Sequence, residues 1–580
     1  MDRKKGSRET RSSENERKSR PKKRKGVFNP NLAESESGSF STSAKKLKDN
    51  IDMTVNESPN IEYRILNFWV VFAAISSLVK CKTCNGNITF ETANARGLGF
   101  KVVVKCDSCA DNLIPSSPFV AHSYEINRRF IFTMRVLGIG LAGAQKFCGL
   151  MDMPRFLTET TYSLILKSIY ESVKTCADVI FKKAVREEIK DTPNAADEAT
   201  PQLTVSGYGS WRKRGYTSLF GVTSVIGYYS GKVLDLVVKS VYCKMCESWK
   251  HKVNDAEYEE WYQTHGDNCS ANHEGSSGKM EVDSIIEIFK RSIEKYNVLY
   301  SYYIGDGDSK TYTGLVNSHP YDDVEVIKKE CIGHVQKRMG SRLRNIVKKN
   351  KKLGGKGQLT GKFIDKLTVY YGLAIRRHSA SVHDMHEAIW ATFDHYSSTD
   401  ANPHHERCPT GEESWCSYQR AQARNEAFQH DYKPLPSNVL DAIRPVYNDL
   451  SKETLLERCV GGFDQNNNES FNQLIWKISP KIVSSGAVVV NLAAYIAAGL
   501  FNEGSKSLLF YLNSIGVSCG RNAHEYADKM DEARIALAER RAAESTREGR
   551  MLRRQYQISL LQAASSAEEL LYGPGIDDSI

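Results

Sequence analysis

Apolar residues gather in two long runs, Ile65–Val79 and Ala487–Phe501. Each falls short of the ~18–20 clean residues that a spanning helix needs. Each also carries an asparagine, Asn67 in one and Asn491 in the other. Both read as buried helices of a soluble protein, so no membrane partner is expected. Helical patterning continues through 120–192 and includes Thr161–Lys183. It stops at Asp191–Pro201, whose Pro, Asp and Asn content marks a boundary. The period then changes. Leu203–Val205, Ser218–Gly227 and Lys232–Ser240 are short β-rich runs between Gly-containing turns, and they predict strands. Val298–Ile304 predicts a further strand, ending at Gly305-Asp306. From about 360 to 460 the chain is helical and polar, and 521–565 predicts one long charged helix. No internal repeat is visible.

Charge changes this picture at the N-terminus. Residues 1–50 hold 15 Lys/Arg against 7 Asp/Glu, so +8 of the net +10 sits there. Large apolar side chains are scarce through residue 58, too few to offset the entropy of ordering the segment. Residues 1–58 are therefore expected to be a disordered basic tail. Within it, Arg20-Pro-Lys-Lys-Arg-Lys-Gly26 has the look of a nuclear localisation signal, and no signal peptide precedes it. The expected organisation continues with an apolar helix and small zinc module over 59–115 and a helical region over 116–192. A core follows over 202–359 with an insertion at 243–273, then a helical insertion over 360–460. The core is completed over 461–515, and a charged helix occupies 516–580.

Fourteen cysteines are too few for a disulfide scaffold in 580 residues, and several fall in Cys-x-x-Cys or Cys-x-x-His pairs. Cys81-x2-Cys84 and Cys106-x2-Cys109 stand 21 residues apart, with β-prone sequence between them. That is the spacing of a zinc ribbon, two knuckles around one tetrahedral ion. Cys243-x2-Cys246 is followed after 22 residues by Cys269-x3-His273, a second closed set of three sulfurs and one imidazole. His265 is the alternative fourth ligand. His395, His405, Cys408 and Cys416 have the right chemistry for a third set, at a spacing that matches no common finger. Cys331-x2-His334 is a lone pair and weak by itself.

Carboxylates supply the remaining chemistry. Phosphodiester cleavage by two divalent cations needs acids that hold the metals ~3.5–4 Å apart. Asp306-Gly-Asp308 ends a predicted strand, where a side chain can project freely. Glu469 lies in Asn466-Asn-Asn-Glu-Ser-Phe-Asn472, just before an apolar run. This looks like a helix start, with asparagines available as caps.

Five segments, in order, resemble the Mutator-like transposase domain of animal mobile elements. They are Val205-Ser-Gly-Tyr-Gly-Ser-Trp-Arg-Lys-Arg-Gly215, Gly275-Ser-Ser-Gly-Lys-Met-Glu281, Tyr303-Ile-Gly-Asp-Gly-Asp-Ser-Lys310, Glu330-Cys-Ile-Gly-His-Val-Gln-Lys-Arg-Met-Gly340 and Asn468-Glu-Ser-Phe-Asn472. The resemblance runs from about 60 to 515. It implies an α/β, ribonuclease-H-like mixed sheet with a large all-helical insertion ahead of the last acid. It also implies a three-carboxylate site using Mg²⁺ or Mn²⁺, and a Cys-x-x-His pair that Cys331 and His334 match. Asp306 and Glu469 take the second and third acid positions, with Asp308 the alternative to Asp306. The first position, in a stretch similar to Val-Ser-x-Asp-Gly-Ser-Trp, is Tyr208 here. A phenol, ordinarily ionising near ~10, is neutral at pH 7 and supplies no bridging charge. Ser206, Gly207, Gly209 and Ser210 offer no carboxylate in its place.

The implied partner is double-stranded DNA, at element termini. Lys337, Arg338, Arg342, Arg344, Lys348, Lys349, Lys351, Lys352 and Lys356 fall within twenty residues that contain no acid, a run suited to phosphate contact. The helix over 521–556 mixes signs and is a candidate for contact with a partner or a second copy. Two functions are weighed: a nuclear transposase-derived protein with impaired DNA cleavage and joining, and a non-enzymatic, zinc-containing DNA-binding or regulatory protein kept from a transposase.

Overall fold

A computed structural model describes residues 41–47, 54–213, 218–252, 256–266, 269–305, 309–430, 432–483 and 485–545, with three isolated positions beyond. The nuclear-signal stretch Arg20–Gly26 lies outside the described residues, as do Asp306 and Asp308. Residues Thr42–Ile535 form one compact unit.

The first sheet is a three-stranded antiparallel ribbon: β1 (Ile88–Arg96), β2 (Gly99–Cys106) and β3 (Asn112–Pro115). Phe68–Leu78 forms a helix laid against β1, with the Phe72 and Phe90 rings 5.0 Å apart. This corrects the expectation of a buried helix. None of its residues is buried, and Trp69 is 64% exposed, because the small ribbon covers only one side. A two-stranded pair, β4 (Phe119–Val120) and β5 (Ser123–Tyr124), precedes the helices Glu125–Val136 and Glu159–Asp191.

The central sheet has five strands. β6 (Gln202–Trp211), β7 (Phe220–Gly227) and β8 (Val233–Ser240) form an antiparallel meander. β9 (Leu299–Gly305) pairs parallel to β6 and β10 (Ile327–Glu330) parallel to β9, giving the order β10-β9-β6-β7-β8. β6 is the middle strand and runs six residues beyond the Leu203–Val205 nucleus that the β-propensity predicts. Every residue of β7 is buried, because helices cover both faces of the sheet there. One face packs on Glu159–Asp191 and Ala487–Glu503, the other on Ser277–Lys290. Ala487–Glu503 is buried as its run predicts. Among the described residues no helix is long and apolar enough to cross a membrane.

Helices Gly361–Arg377, Val382–Ser397 and Ser437–Leu450 close a second core. That core also takes Ile332, Val335, Met339 and Leu343 from the helix Ile332–Lys349. The expected boundary at 359/360 therefore falls inside one packed body.

Thr42–Leu47 is a short helix, which corrects the expectation of disorder for this part of the tail. Its Lys46 is buried, with Nζ 3.7 Å from the centroid of the Phe501 ring and 3.4 Å from Asn467 Oδ1. Burial pushes its pKa well below the usual lysine value, and Arg534 and Lys232 add to the shift. The charged helix is described over Arg521–Ser545.

Candidate active site and metal centres

Side chains on a strand alternate between its two faces. On β6 the face carrying Gly207 and Gly209 is closed. A Cβ at Gly207 would come 2.5 Å from the Tyr303 ring and 2.8 Å from Ile285 Cδ1. A Cβ at Gly209 would meet the Glu281 carboxyl at 2.9 Å, and the Gly209 N–H donates to Glu281 Oε1 at 2.8 Å. Ser206, Tyr208 and Ser210 belong to the opposite face, which receives the helix Asn466–Ile478. Ser206 Oγ donates to Asn468 Oδ1 at 2.8 Å, and Trp476 Nε1 donates to Ser210 Oγ at 2.7 Å. Between these two contacts lie Tyr208 on the strand and Asn472 on the helix. Asn472 is buried, and neither atom of its amide has a hydrogen-bond partner among the described residues.

The start of that helix is fixed by side chains that carry no signal in the sequence pattern. Gln465 Nε2 donates to Gly207 O at 2.9 Å and to Ile304 O at 3.3 Å, so it clamps β6 to β9. The asparagines were expected to cap the helix, and the structure corrects this. Asp464 Oδ1 accepts from the Asn466 N–H at 3.0 Å, while Asn468 is spent on β6. Glu469 follows, half-exposed, with Lys337 Nζ 3.9 Å from its Oε1. Asp464 is a second acid beside it. Burial pushes its carboxyl up, opposed by the N–H groups of Asn466 and by Arg376. Cys331 is buried near this turn, where the Ile332 N–H donates to Phe463 O at 3.0 Å. Burial pushes the Cys331 thiol up. His334 lies one turn on, and among the described residues neither it nor Cys331 joins a cluster of three or more ligand atoms. Glu469 and Tyr208 thus flank the same strand–helix seam.

Among the described residues three clusters bring potential ligand atoms within 4.8 Å of one another. Sulfurs around a tetrahedral zinc lie about 3.8 Å apart, given Zn–S bonds of ~2.3 Å. In the ribbon, Cys81 Sγ is 3.8 Å from Cys109 Sγ and Cys84 Sγ is 3.2 Å from Cys106 Sγ. Backbone N–H groups of Cys84 and Thr83 bring the Cys81 thiol down to about 6.

The second cluster is Cys243, Cys246, His265 and Cys269. His265 Nε2 is 3.4 Å from Cys243 Sγ and 3.3 Å from Cys246 Sγ. The assignment of His273 is therefore corrected. Its Nδ1 is 3.3 Å from Asp283 Oδ2 and its Nε2 3.3 Å from Ser276 O, so both ring nitrogens are engaged elsewhere. His265 ends the helix Ala256–His265 and stacks on Trp261, centroids 4.4 Å apart. Burial raises the Cys243 thiol, but N–H groups of Cys246, Ser270 and Met245 outweigh it and leave it at about 6.

The third cluster, His395, His405, Cys408 and Cys416, is buried throughout. His405 Nδ1 lies 3.5 Å from Cys416 Sγ and 3.7 Å from Cys408 Sγ. Its Nε2 is 2.9 Å from Ser398 Oγ, the outer partner that orients a metal-bound imidazole. His395 Nδ1 is buried and has no hydrogen-bond partner among the described residues. Contact with Cys408, partly opposed by burial and helped by His395, lowers the Cys416 thiol to about 4. In each cluster one thiol is thus held toward the thiolate, the form that binds metal, while neighbouring thiols such as Cys84, Cys246 and Cys408 are pushed up. These residues fit a metal such as zinc.

The basic run divides in two. Arg338 pairs with Glu330 at 2.7 Å, Arg342 with Asp449 at 3.1 Å, and Arg344 with Asp365. Lys348, Lys349, Lys351 and Lys352 are exposed and make no ion pair with a described residue.

A family model described as Mutator-like transposase matches residues 62–416. The chain belongs to this family. The match takes in the ribbon, all five central strands and all three metal clusters, and it ends ahead of the helix that carries Glu469. A search of curated proteins finds no match.

Proposed function

We propose that this protein is a transposase-derived, nuclear DNA-binding protein on a ribonuclease-H-like core. Its ancestral reaction is metal-dependent cleavage and joining of DNA ends, and in this chain that chemistry is impaired. The family membership supports the DNA partner. The strand order supports the core: counted along the chain within the sheet it reads 5-4-1-2-3, three antiparallel strands and then two parallel ones. In that arrangement the first and fourth strands are neighbours, so acids at their ends converge. Zinc in the three Cys/His clusters would hold the ribbon, the 243–269 module and the helical insertion in shape, since structural zinc contributes directly to folding.

The observation that carries the impairment is Tyr208 on the middle strand, on the face that receives the Glu469 helix. Water and then a 3′-hydroxyl are the nucleophiles of the ancestral reaction. Asp306, with Asp308 as its alternative, and Glu469 are the remaining acids. Two divalent ions held close together repel strongly, and too few fixed anions remain here to offset that. The reading therefore favours retention for DNA binding over turnover. Cleavage assays on end-mimicking duplexes, with the natural chain and with Tyr208→Asp, test it. The natural chain is expected to be inactive.

A further inference from the structure

The turn Pro480–Val483 joins the Glu469 helix to Ala487–Glu503, and its Ile482 is 98% exposed. A single exposed apolar side chain is ordinarily without meaning. This one sits in a turn with several hydrogen bonds. The Val483 N–H donates to Pro480 O at 3.1 Å and closes the turn. Lys481 Nζ donates to Trp211 O at 2.7 Å. Arg212 grips the segment on both sides of Ile482, donating from Nε to Lys481 O at 3.5 Å and from Nη1 to Ser485 O at 3.2 Å. The turn is thus fastened to the end of β6, three residues past Tyr208, or about 10 Å at ~3.3 Å per residue.

The surroundings name the partner. Neither 206–218 nor 470–486 contains an Asp or Glu, while Arg212, Lys213, Lys477 and Lys481 supply positive charge. An apolar, β-branched tip on a fastened turn, between basic stretches of sequence without an acid, is the arrangement by which proteins push a wedge between base steps and hold the flanking phosphates.

We propose that Ile482 inserts between base pairs of duplex DNA, about three base pairs from the phosphate presented to the Tyr208–Glu469 seam. The inference rests on the DNA-binding reading above. Pyrimidine–purine steps unstack most easily and are the preferred point of entry.

The test uses the full chain and short duplexes that carry 2-aminopurine beside a TA step, moved one position at a time. Anisotropy reports binding separately. The expected result is a severalfold rise in 2-aminopurine fluorescence at one position. Ile482→Ala should abolish the rise and Ile482→Leu should retain it, both with the salt dependence of binding unchanged. Binding without any rise, or a rise that survives Ile482→Ala, overturns the wedge and leaves DNA binding standing. Absence of binding by anisotropy overturns the DNA-binding reading, and the wedge falls with it. Ile482 is exposed, so an unchanged thermal midpoint in the variants confirms that folding is not at issue.

Discussion

Asn468 and Ser206 hold each other twice: Ser206 Oγ donates to Asn468 Oδ1 at 2.8 Å, and Asn468 Nδ2 donates to Ser206 O at 3.1 Å. Asn468 has no exposed surface, so both bonds sit in the seam between the middle strand and the Glu469 helix. Asn468→Ala leaves the Ser206 groups unpaired and should cost about 1–3 kcal/mol. Asn472, one turn on, makes no side-chain hydrogen bond among the described residues, so Asn472→Ala should cost less. Urea unfolding of the two variants checks the ranking, and equal losses would mean that the seam is held by packing alone.

Metal content separates the two histidines near Cys269. The natural chain should carry three zinc ions. His265→Ala should reduce this to two, and His273→Ala should leave three, because His265 is the imidazole within reach of the cysteines. Chelation should lower the thermal midpoint sharply, since binding free energy at such sites is folding free energy. Elemental analysis with thermal melts gives the answer. A chain with no metal and the same midpoint would end the zinc assignment.

Much of this was legible in sequence because it is local. Paired Cys-x-x-Cys units, the β-rich runs of the meander and the buried run 487–501 each state their structure within a few residues. What was not legible depends on distant partners. His265 and His273 differ only in where a helix points its last side chain. The third cluster was legible in its residue types, and what the sequence left out is only a standard spacing, because its ligands come from a helix, a loop and a helix start. β10 reads Ile-Lys-Lys-Glu and shows no β pattern, because its place beside β9 makes it a strand. Gln465 gave no signal, since its role is to bridge carbonyls of two strands separated by almost a hundred residues.

The basic run should act through its unpaired half. Replacing Lys348, Lys349, Lys351 and Lys352 with Ala should reduce the slope of log affinity against log salt by about three to four units, at ~0.9 per phosphate. Arg338→Ala should leave the slope nearly unchanged, because Arg338 is already paired with Glu330. Anisotropy titrations across salt concentrations measure both. An unchanged slope in the fourfold variant would place that run against solvent.

Lys46 gives a pH signature. Its folded-state pKa lies well below the usual 10.5, so the unfolded chain binds more protons than the folded one between the two values. Stability from this group is complete above ~10.5 and is lost as pH falls toward the folded value. Lys46→Met should therefore raise the thermal midpoint at pH 7, with the advantage over the natural chain shrinking at pH 9. A constant difference at both pH values would show that Lys46 keeps its ordinary ionisation.

The central claim is that a single neutral side chain, Tyr208, disables an otherwise recognisable site. The direct measurement is Mg²⁺- or Mn²⁺-dependent cleavage of end-mimicking DNA by the natural chain and by Tyr208→Asp, with metal binding followed by calorimetry. The natural chain should not cleave, and Tyr208→Asp should gain both metal binding and cleavage. Both gains should vanish when Tyr208→Asp is combined with Asp306→Asn or with Glu469→Gln. Robust cleavage by the natural chain, or a Tyr208→Asp variant that neither binds metal nor cuts, would contradict the account.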